Sequence, residues 1–268
     1  MNEFLPSIFD ERVYRLALGL EPLDAVTSGR IAQPLEVALD GPPDVTPDTP
    51  PWPAPSPATG LYALPRHGSG RFVLLFDSKV DSPVKLRLVP ADRRYVPRRM
   101  TFAFLDEAAG GFDGPTWSRA WRPSLFPGAA YDVQQTATGV RGTVTSGGVP
   151  VRWTRVEASI AGTVIGRAHG DDRGEFLLVL GPNTDVSGTG DLVSPTAVTI
   201  DVYAQNPAPP QDPADPLADL PLETAAGPGV TPDDVSDGVD LPTNYVQVAS
   251  LVDHPVILGR LSSLPIAV

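Results

Sequence analysis

The chain contains no cysteine, which removes disulfides, thiolate metal ligands and cysteine nucleophiles together. Long apolar runs are also missing. No aliphatic and aromatic stretch is longer than the five residues from Phe72 to Phe76, against the roughly 20 residues that a spanning helix needs. Uninterrupted helix-forming sequence is scarce, because 32 Pro and 25 Gly punctuate 268 residues. Basic residues all but vanish from the C-terminal third: Arg260 is the single base beyond residue 182, in a chain of net charge −12. Nucleic-acid binders neutralise phosphates with a basic surface, so this balance argues against them and against attraction to anionic membranes.

Chemical motifs are equally thin. His67, His169 and His254 fall in three separate segments with no second ligand at metal spacing. The run Asp233-Asp234-Val235-Ser236-Asp237-Gly238 has Val at the third position of a calcium loop and Asn244 at the twelfth. There is no Gly-x-Ser-x-Gly elbow, phosphate-binding loop or His-Glu-x-x-His helix. The expectation is a protein without catalytic residues, metal or cofactor. The start of the sequence, with Asp10-Glu11-Arg12 soon after Met1, does not read as a signal peptide. The chain is therefore expected in the cytoplasm as synthesised, or in a particle later released by lysis.

What is present is strand periodicity. Leu35 to Asp40, Val84 to Leu88 and Val198 to Val202 alternate apolar and polar side chains with period two, and Val13 to Leu18 and Arg71 to Phe76 also read as strands. The expected fold is all-β, with two β-sandwich domains, proline-rich extended arms and a C-terminal docking tail. The first domain spans 1–135 and carries a Pro-rich insertion at 41–60. The second spans 136–205. An acidic Pro-rich linker, 206–240, holds eight acids and no base, and an apolar docking segment, 241–268, follows it.

Three groups of side chains are candidate sites. Arg93, Arg94, Arg98 and Arg99 form the one local basic cluster, suited to bidentate pairing with an acidic surface; the acidic stretch 207–240 of this chain or of a neighbouring copy fits. Tyr245, Val246, Val248, Val256, Ile257 and Leu258 are too apolar for exposure on a tail. They are expected to dock on a neighbouring subunit by strand addition, or to complete the first sandwich in the same chain. Trp117 and Trp121, four residues apart, are a candidate stacking platform for sugar rings; the alternative is that they plug the first sandwich or the domain junction.

Within the second domain, Gly142-Thr143-Val144, the pair Gly147-Gly148 and the turn Asp171-Asp172-Arg173-Gly174-Glu175-Phe176 follow one another. Gly147-Gly148 suits a tight hairpin, Asp171 or Asp172 an Asx turn, Gly174 a left-handed position, and Phe176 the core. Together they resemble the carboxypeptidase regulatory-like family, a small transthyretin-like β-sandwich, and that resemblance implies a non-catalytic packing and display module. The stretch 181–194 is longer than the turn this family pattern carries. The whole-chain arrangement is similar to accessory structural proteins of phage tails and contractile injection systems. That likeness implies partners that are other protein subunits, copies of the chain included, with no nucleic acid and no membrane insertion.

Overall fold

The computed structural model describes residues 16–41, 56, 60–75, 83–103, 119–181, 195–225 and 234–268. Trp117, nearly all of the 41–60 insertion and the 182–194 stretch lie outside the described residues. The described chain is all-β apart from one helical turn. Among the described residues no helix is long and apolar enough to cross a membrane.

The first part of the chain supplies β1 (Leu16–Leu20), β2 (Leu23–Asp24), β3 (Leu35–Leu39), β4 (Phe72–Leu75), β5 (Val84–Pro90), β6 (Arg98–Phe102), β7 (Ala120–Trp121) and β8 (Ser124–Leu125). The remainder supplies β9 (Gly139–Ser146), β10 (Val149–Pro150), β11 (Arg155–Ile160), β12 (Thr163–His169), β13 (Glu175–Val179), β14 (Thr196–Gln205), β15 (Leu222–Thr224), α1 (Asp234–Asp237), β16 (Tyr245–Val256) and β17 (Leu261–Ala267).

Two cores result. In the first body, the sheet β4-β1-β7 and the sheet β15-β6-β5-β3 enclose Leu18, Leu20, Val37, Leu86, Leu88, Met100 and Phe102. In the second, β9 lies between β13 and β17 and faces the sheet β12-β11-β14-β16 across Val144, Val156, Phe176, Leu178, Ile200 and Val202. The alternation of β5 drives Val84, Leu86 and Leu88 into the core, as period two requires. Arg87, on the opposite face, is nevertheless buried, since the acidic segment covers that face and brings Asp215 against it.

The turns follow the local chemistry. Gly147 and Gly148 take φ of 56° and 84°, and close the β9–β10 hairpin. Asp171 Oδ1 accepts from the backbone N–H of Arg173 and of Glu175 at 2.8 and 2.9 Å, and Gly174 takes φ of 71°. Phe176 is 1% exposed.

Two expectations are corrected. The acidic stretch 206–240 is not a linker leading away. It returns to the first body, where β15 joins β6 in parallel register and α1 follows, so that it straps one body to the other. Within the chain, the C-terminal segment does not complete the first body but adds to the second. β16 pairs antiparallel with β14, and β17 pairs parallel with β9 along its whole length. The physical reason lies in β9, whose second edge would otherwise be open. β17 fills it and buries Ile266.

Candidate functional site

The polar centre of the molecule is the seam where both bodies meet the strap. Arg98 on β6 extends into it with its side chain 0% exposed. Its guanidinium faces the Glu223 carboxylate on β15, with Nη2–Oε2 at 2.6 Å and Nε–Oε1 at 3.1 Å. Its remaining donors go to the carbonyls of Ser124, Val235 and Ser236. From the second body, Arg155 donates to Glu223 Oε1 at 3.2 Å and to the carbonyls of Trp153 and Thr154. One carboxylate on the strap thus joins a cation of each body. Such a buried arrangement holds only because nearly every charge is hydrogen-bonded as well as paired.

Neighbouring groups extend the seam. Arg87 and Arg99 share Asp40, each at 2.6 Å, and Arg87 also grips Asp215, whose carboxyl it holds below the usual range. Arg152 pairs with Asp219 at 2.5 Å, and Arg93 reaches Asp172 at 3.3 Å. Val96 of the first body, Trp153 of the second and Leu220 of the strap form a small apolar cluster between these pairs. His169 is 1% exposed, stacks on Phe126 with ring centroids 3.8 Å apart, and has no hydrogen-bond partner on either ring nitrogen among the described residues. Burial, with Arg155 and Arg98 nearby, holds it neutral well below its usual pKa. Tyr245, lying under Arg155, donates its hydroxyl to Trp153 O at 2.6 Å, and burial pushes that hydroxyl up to about 12.

Beside the seam two adjoining hollows, of about 320 and 480 Å3, share the walls Val26, Val179, Leu180 and Gly181. Their lining mixes valine and leucine with threonine, Gln134 and Asp132. Among the described residues no group of three His, Asp or Glu side chains is placed to hold a metal ion.

The candidate residues now have places. Of the basic cluster, Arg98 is wholly internal, Arg99 is tied to Asp40 and the Ala218 carbonyl, Arg93 bridges to the second body, and Arg94 pairs with Asp92 on the same turn. Of the two partners expected for it, the acidic stretch of the same chain offers a carboxylate to Arg98 alone, through Glu223, while the carboxylates of Arg99, Arg93 and Arg94 are Asp40, Asp172 and Asp92 of the two bodies. Tyr245 is spent in the seam and Val256 in the second core, while Val248 packs against that core from β16. Ile257 and Leu258 form the turn to β17, with Leu258 on the wall of the larger hollow. Val246, at 40% exposed, alone of that set stays outward. The sugar platform is corrected as well, because Trp121 is 4% exposed and packs edge-on against Phe102 at 5.2 Å.

Sequence reasoning missed Glu223 and Arg155, and with them the seam. One signal was there. Leu220, Leu222 and Ala225 bracket Glu223 as the only apolar cluster within an acidic stretch, which is the mark of a short buried strand. It missed Asp24 too, whose Oδ2 accepts from the hydroxyls of Tyr95 and Tyr131 at 2.9 and 2.7 Å and locks the first body beneath the hollows. No family model, no curated protein and no solved structure matches this chain.

Proposed function

We propose that this chain is a non-enzymatic structural or adaptor subunit of a large protein assembly, of the phage tail-like or contractile injection kind. The observation that carries the reading is the free edge of β16. Among the described residues this strand, Tyr245–Val256, is the outermost of its sheet and is paired on one side alone, with Val246 40% and Val252 68% exposed. A long edge with outward valines is a template for strand addition by a partner; it carries a bulge at Val248 in its middle, and Asp253 at φ of 58° together with Pro255 breaks it toward its far end. The opposite choice is visible on β17. Val268 donates to Thr145 O, so by alternation Pro265 turns its missing donor to the open side and blunts that edge.

The ionic groups support the same reading. Arg98, Arg155, Glu223, Asp40 and Asp219 are consumed in fixing two bodies and a strap as one block, which suits a spacer better than a reaction centre. The carbohydrate-binding alternative loses support with the burial of Trp121. The chain is made in the cytoplasm on this reading and leaves in a particle. Sedimentation of a native lysate tests it: the protein should travel with particles of megadalton mass, and recovery solely as a free 28.3 kDa species counts against the proposal.

A further inference from the structure

A separate feature of the first body concerns Glu21, at the end of β1. Its side chain is 5% exposed, and three guanidiniums converge on it. Arg30 places Nε on Oε1, Arg122 places Nε on Oε2 at 3.1 Å, and Arg71 places Nη2 on Oε2 at 3.3 Å. They come from different parts of the chain. Arg30 bridges back to Leu23, Arg71 precedes β4, and Arg122 follows β7, held because Glu21 N–H donates to Trp121 O. The arrangement is therefore made by the fold rather than by one mobile loop.

Its charge does not close. Elsewhere Arg87 and Arg99 meet two carboxylates, and the two cations around Glu223 are buried and donate to five carbonyl oxygens. Among the described residues three cations meet one anion at Glu21, while the chain as a whole is at −12. Arg30 and Arg122 are each 62% exposed. Each contacts Glu21 through Nε, and its two terminal nitrogens have no hydrogen-bond partner among the described residues. A guanidinium offers five donors in a rigid fork, and two forks anchored on one carboxylate are set for a second, external anion.

We propose that Arg30 and Arg122, organised by Glu21 and backed by Arg71, form an oxyanion-binding site. A carboxylate or phosphate group bridges the outer nitrogens of both arginines and neutralises the excess charge. The site lies on the first body, is independent of the adaptor reading, and stands whether or not the β16 edge takes a partner. Two sources supply such a group: a free inorganic anion, or an acidic side chain of a partner protein.

The full-length protein, labelled with 15N, is titrated with sodium phosphate and separately with a tetraglutamate peptide, each against sodium chloride of equal ionic strength. Saturable shifts of the Arg30 and Arg122 Nε–H signals are expected in at least one arm. A phosphate response identifies a free-anion site, and a response to the peptide alone identifies a protein carboxylate. Arg30→Gln with Arg122→Gln should weaken the response about tenfold or more. Both side chains are mostly exposed, so folding should survive, and each single variant repeats the measurement if the double variant does not express. Shifts no larger than those caused by chloride in both arms, or undiminished binding by the variants, overturn the site.

Discussion

Arg98 and Glu223, 125 residues apart in sequence, form a two-pronged ion pair with side chains 0% and 1% exposed. The pair joins β6 to β15, and because Arg155 shares the carboxylate, it also joins the first body to the second.

Removing the anion should therefore cost more than removing an average contact. Glu223→Ala leaves Arg98 and Arg155 buried with no carboxylate between them, and breaking such a pair from one side costs ~3–5 kcal/mol. Chemical denaturation of the full chain should show that loss, whereas Asp92→Ala, which frees only the exposed Arg94, should change stability by less than about 1 kcal/mol. Equal effects from the two variants would remove Glu223 from its central place.

Acid should loosen the seam before it affects the carboxylates. His169 is held neutral in the folded protein, with a pKa below its unfolded value of about 6.5. The unfolded chain thus takes up a proton first, and stability falls as pH drops below about 6.5, continuing until the folded pKa is passed. Asp215, whose folded pKa is lowered by Arg87, gives stability that is present above its unfolded value and lost only as pH falls further. The charged groups acting on His169 are Arg155 from β11 and Arg98 from β6, both paired with Glu223 of the strap, with Gly238 after α1 packed against its Nε2 side. His169→Phe keeps a flat ring on Phe126 and should flatten the stability profile between pH 5 and 7. A profile unchanged in that variant would assign the dependence elsewhere.

The second core offers a test of packing. Phe176 is 1% exposed, and its ring fills the space that the missing side chain of Gly142 leaves open. Phe176→Ala should cost ~3–5 kcal/mol. Gly142→Ala should also destabilise, by ~1–3 kcal/mol, since its methyl would meet both that ring and the Leu264 carbonyl on β17. Thermal unfolding of the two variants reads both. A neutral Gly142→Ala would show that β17 does not lie tight on β9.

Local chemistry made part of this legible. Leu35–Leu39, Val84 to Leu88 and Val198 to Val202 alternate because each lies over a core, and they are strands. Gly147, Gly148, Asp171 and Gly174 announced their turns because a positive φ or an Asx bond is settled within a few residues. The pairings were not legible. Nothing within Leu222-Glu223-Thr224 names β6 as its neighbour, and a stretch rich in proline and acid reads as solvated until four arginines from elsewhere neutralise it. Arg93, Arg94, Arg98 and Arg99 read as a group that seeks acid, yet sequence does not tell an internal acid from an external one. Composition likewise marked Tyr245 to Leu258 as apolar enough to be covered, but which sheet covers it depends on the open edges of β14 and β9, which are properties of the assembled fold.

The C-terminal strand gives the sharpest test of that last point. Residues 261–268 add β17 to β9 in a parallel register from Leu261 opposite Gly139 to Ala267 opposite Thr145. Parallel partners cannot be brought together by a hairpin, so this strand forms only after the rest of the second body has placed the edge of β9. Deleting 261–268 would expose that edge and the pocket of Ile266, which is 4% exposed, and would strip Leu264 from the core it packs against. Burial of two such side chains contributes about 1.5–3 kcal/mol each, a large share of the margin of a body this size. The truncated protein should melt early or aggregate through the bared strand. Separate addition of a peptide with the sequence of residues 259–268 should restore the melting temperature, because it can re-enter the same register. A truncated chain that stays soluble with an unchanged melting temperature would show that β17 contributes nothing to the second body.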